Sequence, residues 1–196
     1  MSVQRHGRIR VVAESQRPPL VPNGVMGMLI FVIVEAMIFA GLISAFSIIR
    51  ASSMVWPPPG QPRLPLEETA VNTAALLASG VLLIVARRTF GRDPLGARAP
   101  LLAVILLGGF FVTFQGVEWV ALIADGLTLT SSSLGSFFYL IIGMHALHAV
   151  AALGVLAYTW VRLRQGWLAS SQLAAAAVFW YFVVGLWPIL YLVVYL

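Results

Sequence analysis

The run GVMGMLIFVIVEAMIFAGLISAFSII, residues 24–49, decides the fold. It holds one ionisable side chain, Glu35, and is long enough for a membrane helix, because about 20 apolar residues cross the roughly 30 Å of bilayer hydrocarbon. Its apolar part is too long for a signal-peptide core and lacks an evident small-residue cleavage site, so the span is expected to stay in the mature chain. Outward from it lie four more such runs, at residues 69–86, 99–124, 134–160 and 172–195. The expectation is an all-α integral membrane protein, a bundle of five transmembrane helices.

Composition agrees. Sixty per cent of the 196 residues are hydrophobic and 10% charged, with mean hydropathy +0.94, which is membrane rather than soluble-domain composition. There is no Cys, so the chain offers no disulfide, thiolate nucleophile, Cys-ligated zinc or iron–sulfur cluster. A net charge of +5 and a pI near 10.4 could suggest nucleic acid. All 12 basic residues are Arg, however, in short clusters beside apolar runs, and these read as topology signals with no nucleic-acid partner.

Arg5, Arg8, Arg10 and Arg17 precede the first span, Arg87, Arg88, Arg92 and Arg98 separate the second from the third, and Arg162 and Arg164 follow the fourth. Only Arg50 and Arg63 fall on the other side. The positive-inside bias therefore predicts N-in/C-out, with the Pro-rich connector from Trp56 through Pro65 outside. Residues 1–20 read as a polar cytoplasmic tail ending at Pro18-Pro19, followed by one membrane domain over 21–196. Small residues suggest packing faces: Ala70, Ala74 and Ala78; Ala36 with Ala40 and Gly41 with Ala45; Gly143, Ala146 and Ala149.

An ionisable group inside a span costs about 2.5–3.5 kcal/mol on translocon scales and marks a functional position by default. Glu35, Glu118, His145 and His148 qualify, and the two His, at i and i+3, share a helix face. Three readings stand. They can form a hydrogen-bonded network that fixes helix registry, or handle protons, since buried carboxylates and imidazole both titrate responsively. They can also be metal or haem ligands, although neither Glu has a His three residues on, and both His lie on one helix rather than on facing ones.

At these residues the chain resembles a known family. Glu35 among aromatics, Asn72-Thr73 opening the second span, Gln115-x-x-Glu118-Trp119 in the third, Ser136-Phe137-Phe138 leading to His145-x-x-His148 in the fourth, and Phe179-Trp180-Tyr181-Phe182-Val183 in the fifth occur in one order. Together they resemble cytochrome c oxidase subunit III over roughly residues 20–196, in a short five-helix form matching the last five of seven helices. The resemblance implies a non-catalytic subunit of a proton-pumping oxidase, multi-pass in the bacterial cytoplasmic (inner) membrane. It would pack on subunit I and contact other respiratory-complex subunits. It would carry no haem, copper or other cofactor of its own, these lying in partner subunits, and would bind phospholipid.

The resemblance also implies support of proton uptake and protection of the catalytic centre during turnover. Glu35 matches the family's carbodiimide-reactive carboxylate; Glu118, His145 and His148 match its buried polar positions, and Asn72, Gln115, Trp119 and Trp180 its structural motif. No residue of the chain is expected to be catalytic. Many members read Trp-His-Phe-Val-Asp where this chain has Trp180-Tyr181-Phe182-Val183-Val184, so one His and one Asp are lost. The competing functions are the accessory subunit of nitric oxide reductase and a free-standing haem or metal membrane enzyme.

The Arg asymmetry yields a direct test. Reporter fusions at Gly60 and Leu127 are expected to signal from the periplasm, and fusions at Arg92 and Gly166 from the cytoplasm. The opposite pattern would reverse the topology.

Overall fold

The computed structural model describes residues 21–58, 60–62 and 64–196. The expected tail over 1–20, with its four Arg residues, and Arg63 lie outside the described residues. Five helices follow in order: α1 Asn23–Ser52, α2 Leu66–Phe90, α3 Arg98–Ala124, α4 Ser133–Arg164 and α5 Ser170–Leu190, the last continued by a π turn over Tyr191–Tyr195. Each of the five is long and apolar enough to cross a membrane, as the hydropathy predicts.

The helices run longer than their apolar runs because their end turns carry interfacial residues. Glu67 and Glu68 occupy the first turn of α2, where carboxylates oppose the positive end of the helix dipole, and Arg162 and Arg164 close α4 at the negative end. Ser132 caps α4, its hydroxyl oxygen accepting from the Gly135 N–H at 3.1 Å. α3 ends on Gly126 at φ +92°, a backbone state that lets the Leu127 N–H reach back to the Leu122 carbonyl at 2.9 Å. Leu127 is thereby folded into the core, fully buried.

Successive helices run antiparallel, and α5 is the hub, packed against α1, α2 and α4. Along its α2 face Trp180, Trp187 and Tyr191 recur at helical spacing. Their N–H and O–H groups donate to Ser79 Oγ at 3.1 Å, Thr73 Oγ1 at 2.8 Å and the Leu66 carbonyl at 3.0 Å. The two α2 hydroxyls pass their own hydrogens to carbonyls within α2, so each is both donor and acceptor. This matters because a polar group in hydrocarbon has no water to turn to.

α1 is the least enclosed helix: only Phe39 and Phe46 are buried, while residues such as Ile33, Met37 and Ile48 are exposed. Arg50 pins its far end, donating to the Val193 and Leu196 carbonyls at 3.1 and 2.9 Å. The helix is otherwise held by one polar pair and a group of aromatic rings, described below.

Two of the expected small-residue faces do not pack within this chain. Ala70, Ala74 and Ala78 are exposed, as are Ala36, Ala40 and Gly41, with Ala45 half-buried; only the α4 set of Gly143, Ala146 and Ala149 faces neighbours. Close approach occurs elsewhere. A Cβ at Gly108 would lie 2.5 Å from Trp180 Cη2 and 2.7 Å from Leu153 Cδ2. The indole that bonds to α2 thus also passes over the bare backbone of α3.

Gly108→Ala is therefore expected to destabilise the bundle by about 1–3 kcal/mol through overpacking. Gly109→Ala, with nothing within 4 Å of the added Cβ, is expected to be neutral or slightly stabilising. Thermal unfolding of the two variants in detergent checks the contrast; equal melting would show that α3 can yield to Trp180.

Candidate functional site

The four ionisable residues singled out in the spans fall into two clusters and one isolated ring. Glu35 of α1 and His148 of α4 meet directly, Oε2 to Nε2 at 3.1 Å, with their side chains 16% and 9% exposed. His148 Nδ1 lies 2.7 Å from the Met144 carbonyl one turn back. A carbonyl can only accept, so Nδ1 donates there and Nε2 is the nitrogen that faces Glu35.

Aromatic rings enclose the pair. Phe39 stands edge-on to His148 at 5.6 Å, with Phe31, Phe179 and Phe182 each at 6.2 Å. These rings come from α1 and α5, so the pair and its cage join three helices.

Glu118 lies apart, on α3 beside the first turn of α2. Its oxygens are 3.1 and 3.2 Å from Thr69 Oγ1, and Oε2 accepts from Gln115 Nε2 at 2.8 Å. Gln115 Nε2 also reaches the Tyr195 hydroxyl at 3.1 Å, tying the π turn after α5 to α3. Thr69 Oγ1 has a single hydrogen and also faces the Pro65 carbonyl at 2.5 Å.

His145 joins neither cluster. It is 1% exposed, and neither ring nitrogen has a hydrogen-bond partner among the described residues. The ring lies 5.1 Å from Trp187 at 32°, with Phe111 and Phe39 edge-on at 6.3 and 6.5 Å.

Of the motif residues, Asn72 donates to the Phe111 carbonyl at 3.2 Å, Gln115 orients Glu118, Trp180 bonds Ser79, and Trp119 sits edge-on to Tyr139 at 5.7 Å. Of the four ionisable residues, only Glu35 and His148 are brought into direct contact among the described residues. Sequence reading missed Thr69, Ser79, Trp187 and Tyr195, whose roles depend on which faces α2 and α5 turn to each other. The available signal was the seven-residue spacing of Trp180 and Trp187 opposite hydroxyls on α2.

The donor set bears on metal chemistry. Among the described residues no three His, Cys, Asp or Glu side chains converge. The Glu35–His148 contact brings together only two possible ligands, beside phenyl rings of α1 and α5. What this arrangement can do is join a carboxyl of α1 to an imidazole of α4, hold those helices against α5, and anchor a second carboxyl near the end of α3.

The model of the family described as cytochrome c oxidase subunit III matches residues 12–196. A probable cytochrome c oxidase subunit 3 of Nocardia farcinica is 32% identical over 179 residues, covering 89% of this chain and 88% of that protein. A similarly named protein of Mycobacterium leprae is 33% identical over 180 residues, with the same coverage of each. Cytochrome c oxidase subunit 3 of Synechocystis is 29% identical over 175 residues, covering 87% of this chain and 74% of that protein.

The Glu35–His148 contact predicts non-additive mutational effects. His148→Leu is expected to destabilise the chain by about 1–3 kcal/mol, because it leaves a carboxyl unpartnered in hydrocarbon. Adding Glu35→Leu should restore part of that loss. Unfolding measurements on the two single variants and the double variant give the coupling; purely additive losses would show that the two side chains do not act as a pair.

Proposed function

This chain belongs to the cytochrome c oxidase subunit III family, and from that premise we propose that it is a non-catalytic subunit packed on subunit I of a proton-pumping oxidase. The observation that carries the proposal is the aromatic-walled Glu35–His148 pair, which joins α1 to α4 and α5. In this reading the haem and copper lie in partner subunits, and electrons never enter this chain.

The chain sits N-in/C-out in the bacterial inner membrane, residues 1–20 forming the cytoplasmic tail and residues 21–196 the membrane domain. The apolar face that α1 leaves exposed faces lipid and the catalytic subunit, and bound phospholipid fills the gaps. Glu35 supports proton uptake and durability during turnover, while Glu118, His145 and His148, with Asn72, Gln115, Trp119 and Trp180, keep the helices in register. The names of the relatives favour an oxidase over the accessory subunit of nitric oxide reductase.

Oxygen consumption by the oxidase complex carrying Glu35→Gln tests the reading, since Gln keeps the size and hydrogen bonding but removes the titrating group. A normal haem spectrum and a substantial initial rate are expected, with faster loss of activity during turnover or altered behaviour at alkaline pH. Immediate collapse of activity in a fully assembled complex would make Glu35 part of an obligatory path and refute the proposal.

A further inference from the structure

Near the end of α2 a shallow groove of about 510 Å³ opens between it and α5, lined by Ile84, Arg87, Arg88 and Tyr181. Both arginines are exposed, and Ile84 lies one helical turn deeper than Arg88 on the same face of α2. Below Ile84 that face continues through Val81, Leu77 and Ala74, all exposed and spaced by three or four residues. From Ile84 to Ala74 the track runs about 15 Å at roughly 1.5 Å per residue, half of the roughly 30 Å of bilayer hydrocarbon.

The charge above this track is unanswered among the described residues. The arginines at the neighbouring ends of α3 and α4 are engaged: Arg98 donates to the Arg164 carbonyl at 3.3 Å, Arg162 lies over the Tyr158 and Trp167 rings, and Arg164 lies over Trp160. Arg87 and Arg88 make no ion pair and no side-chain hydrogen bond among the described residues. Asp93, the one carboxylate between α2 and α3, instead accepts from the Leu95 N–H at 3.0 Å.

We propose, on the reading above that this chain binds phospholipid, that the groove seats one anionic phospholipid. Its phosphate is held by Arg87 and Arg88, its ester region lies beside Tyr181, and one acyl chain is laid along Ile84, Val81, Leu77 and Ala74. Guanidinium groups match phosphate oxygens with paired N–H···O bonds, and an arginine beside hydrocarbon extends its head to the interface where phosphates lie. Tyrosine suits the same depth, having an apolar ring and a polar tip. Charge selects the headgroup. A zwitterionic lipid would bring its own cation up to two arginines that no carboxylate answers, and a free phosphate ion would leave the apolar track uncovered.

Photolabelling of the assembled oxidase tests this, in nanodiscs of phosphatidylcholine holding a trace of phosphatidylglycerol with a diazirine on one acyl chain, the labelled residues being read by mass spectrometry. Label is expected on Tyr181 and between Ala74 and Ile84. Excess unlabelled phosphatidylglycerol should abolish it, and inorganic phosphate should not. Joint Arg87→Gln and Arg88→Gln should lower it roughly 30-fold, about fivefold for each basic residue near the surface. Joint Arg92→Gln and Arg164→Gln remove the same charge outside the groove and should lower it less than about twofold, because salt screens separated charges. Equal losses in the two double variants would show diffuse attraction to a positive face, and displacement by phosphate would show an anion site alone. Label confined to other parts of the chain would place the lipid elsewhere or a partner subunit over the groove. Each of these overturns the proposal, whereas absence of label from the whole chain also overturns the reading that it binds phospholipid.

Discussion

The absence of water from hydrocarbon governs the arrangement of this bundle: each indole, hydroxyl and carboxyl carried into the membrane must find its partner on a neighbouring helix. The α2–α5 seam meets that demand directly. Trp180 and Trp187 each bring one N–H, and Ser79 and Thr73 each accept it while donating back into α2. Because these bonds have fixed positions along two antiparallel helices, sliding by one residue would break them together. They set a register that close packing alone leaves loose, since lipid supplies little drive for helices to associate. Trp180 extends the constraint to α3, where it lies over Gly108.

α1 is joined to this framework by a different device. Its surface is mostly exposed, and its polar fastenings are Glu35 to His148 at mid-helix and Arg50 to the carbonyls at the end of α5. Between them Phe39 and Phe46 enter the core beside rings of α4, α5 and the α1–α2 connector. A helix held at a few points depends on each of them more than one held along its length. The carboxyl that the resemblance singles out is thus also the residue on which the seating of α1 rests.

The five spans were legible because an apolar run of such length suits a membrane helix and little else, and the ionisable residues stood out against that apolar background. Glu35–His148 was within reach, since an i, i+3 pair of His presents one face and an intramembrane carboxyl needs a partner. The separation of Glu118 and the isolation of His145 were not, because rotation of α3 and α4 about their axes is not written in either helix alone. The small-residue faces show the same limit. Ala70, Ala74 and Ala78 form a regular stripe yet point outward, while the tight crossing falls at Gly108, which belongs to no stripe and is defined by the indole opposite. Spacing along one helix identifies a face; only the partner helix says which face is used.

The two carboxyl groups differ in what their surroundings allow. Glu118 is held among neutral donors, Thr69 and Gln115, near the end of its helix, and its hydrogen bonds persist as long as those side chains stay in place. Glu35 instead meets an imidazole, His148, beside phenyl rings of α1 and α5. That contact ties the middle of α1 to α4. With few other fastenings along α1, it sets how the helix sits against the rest of the bundle.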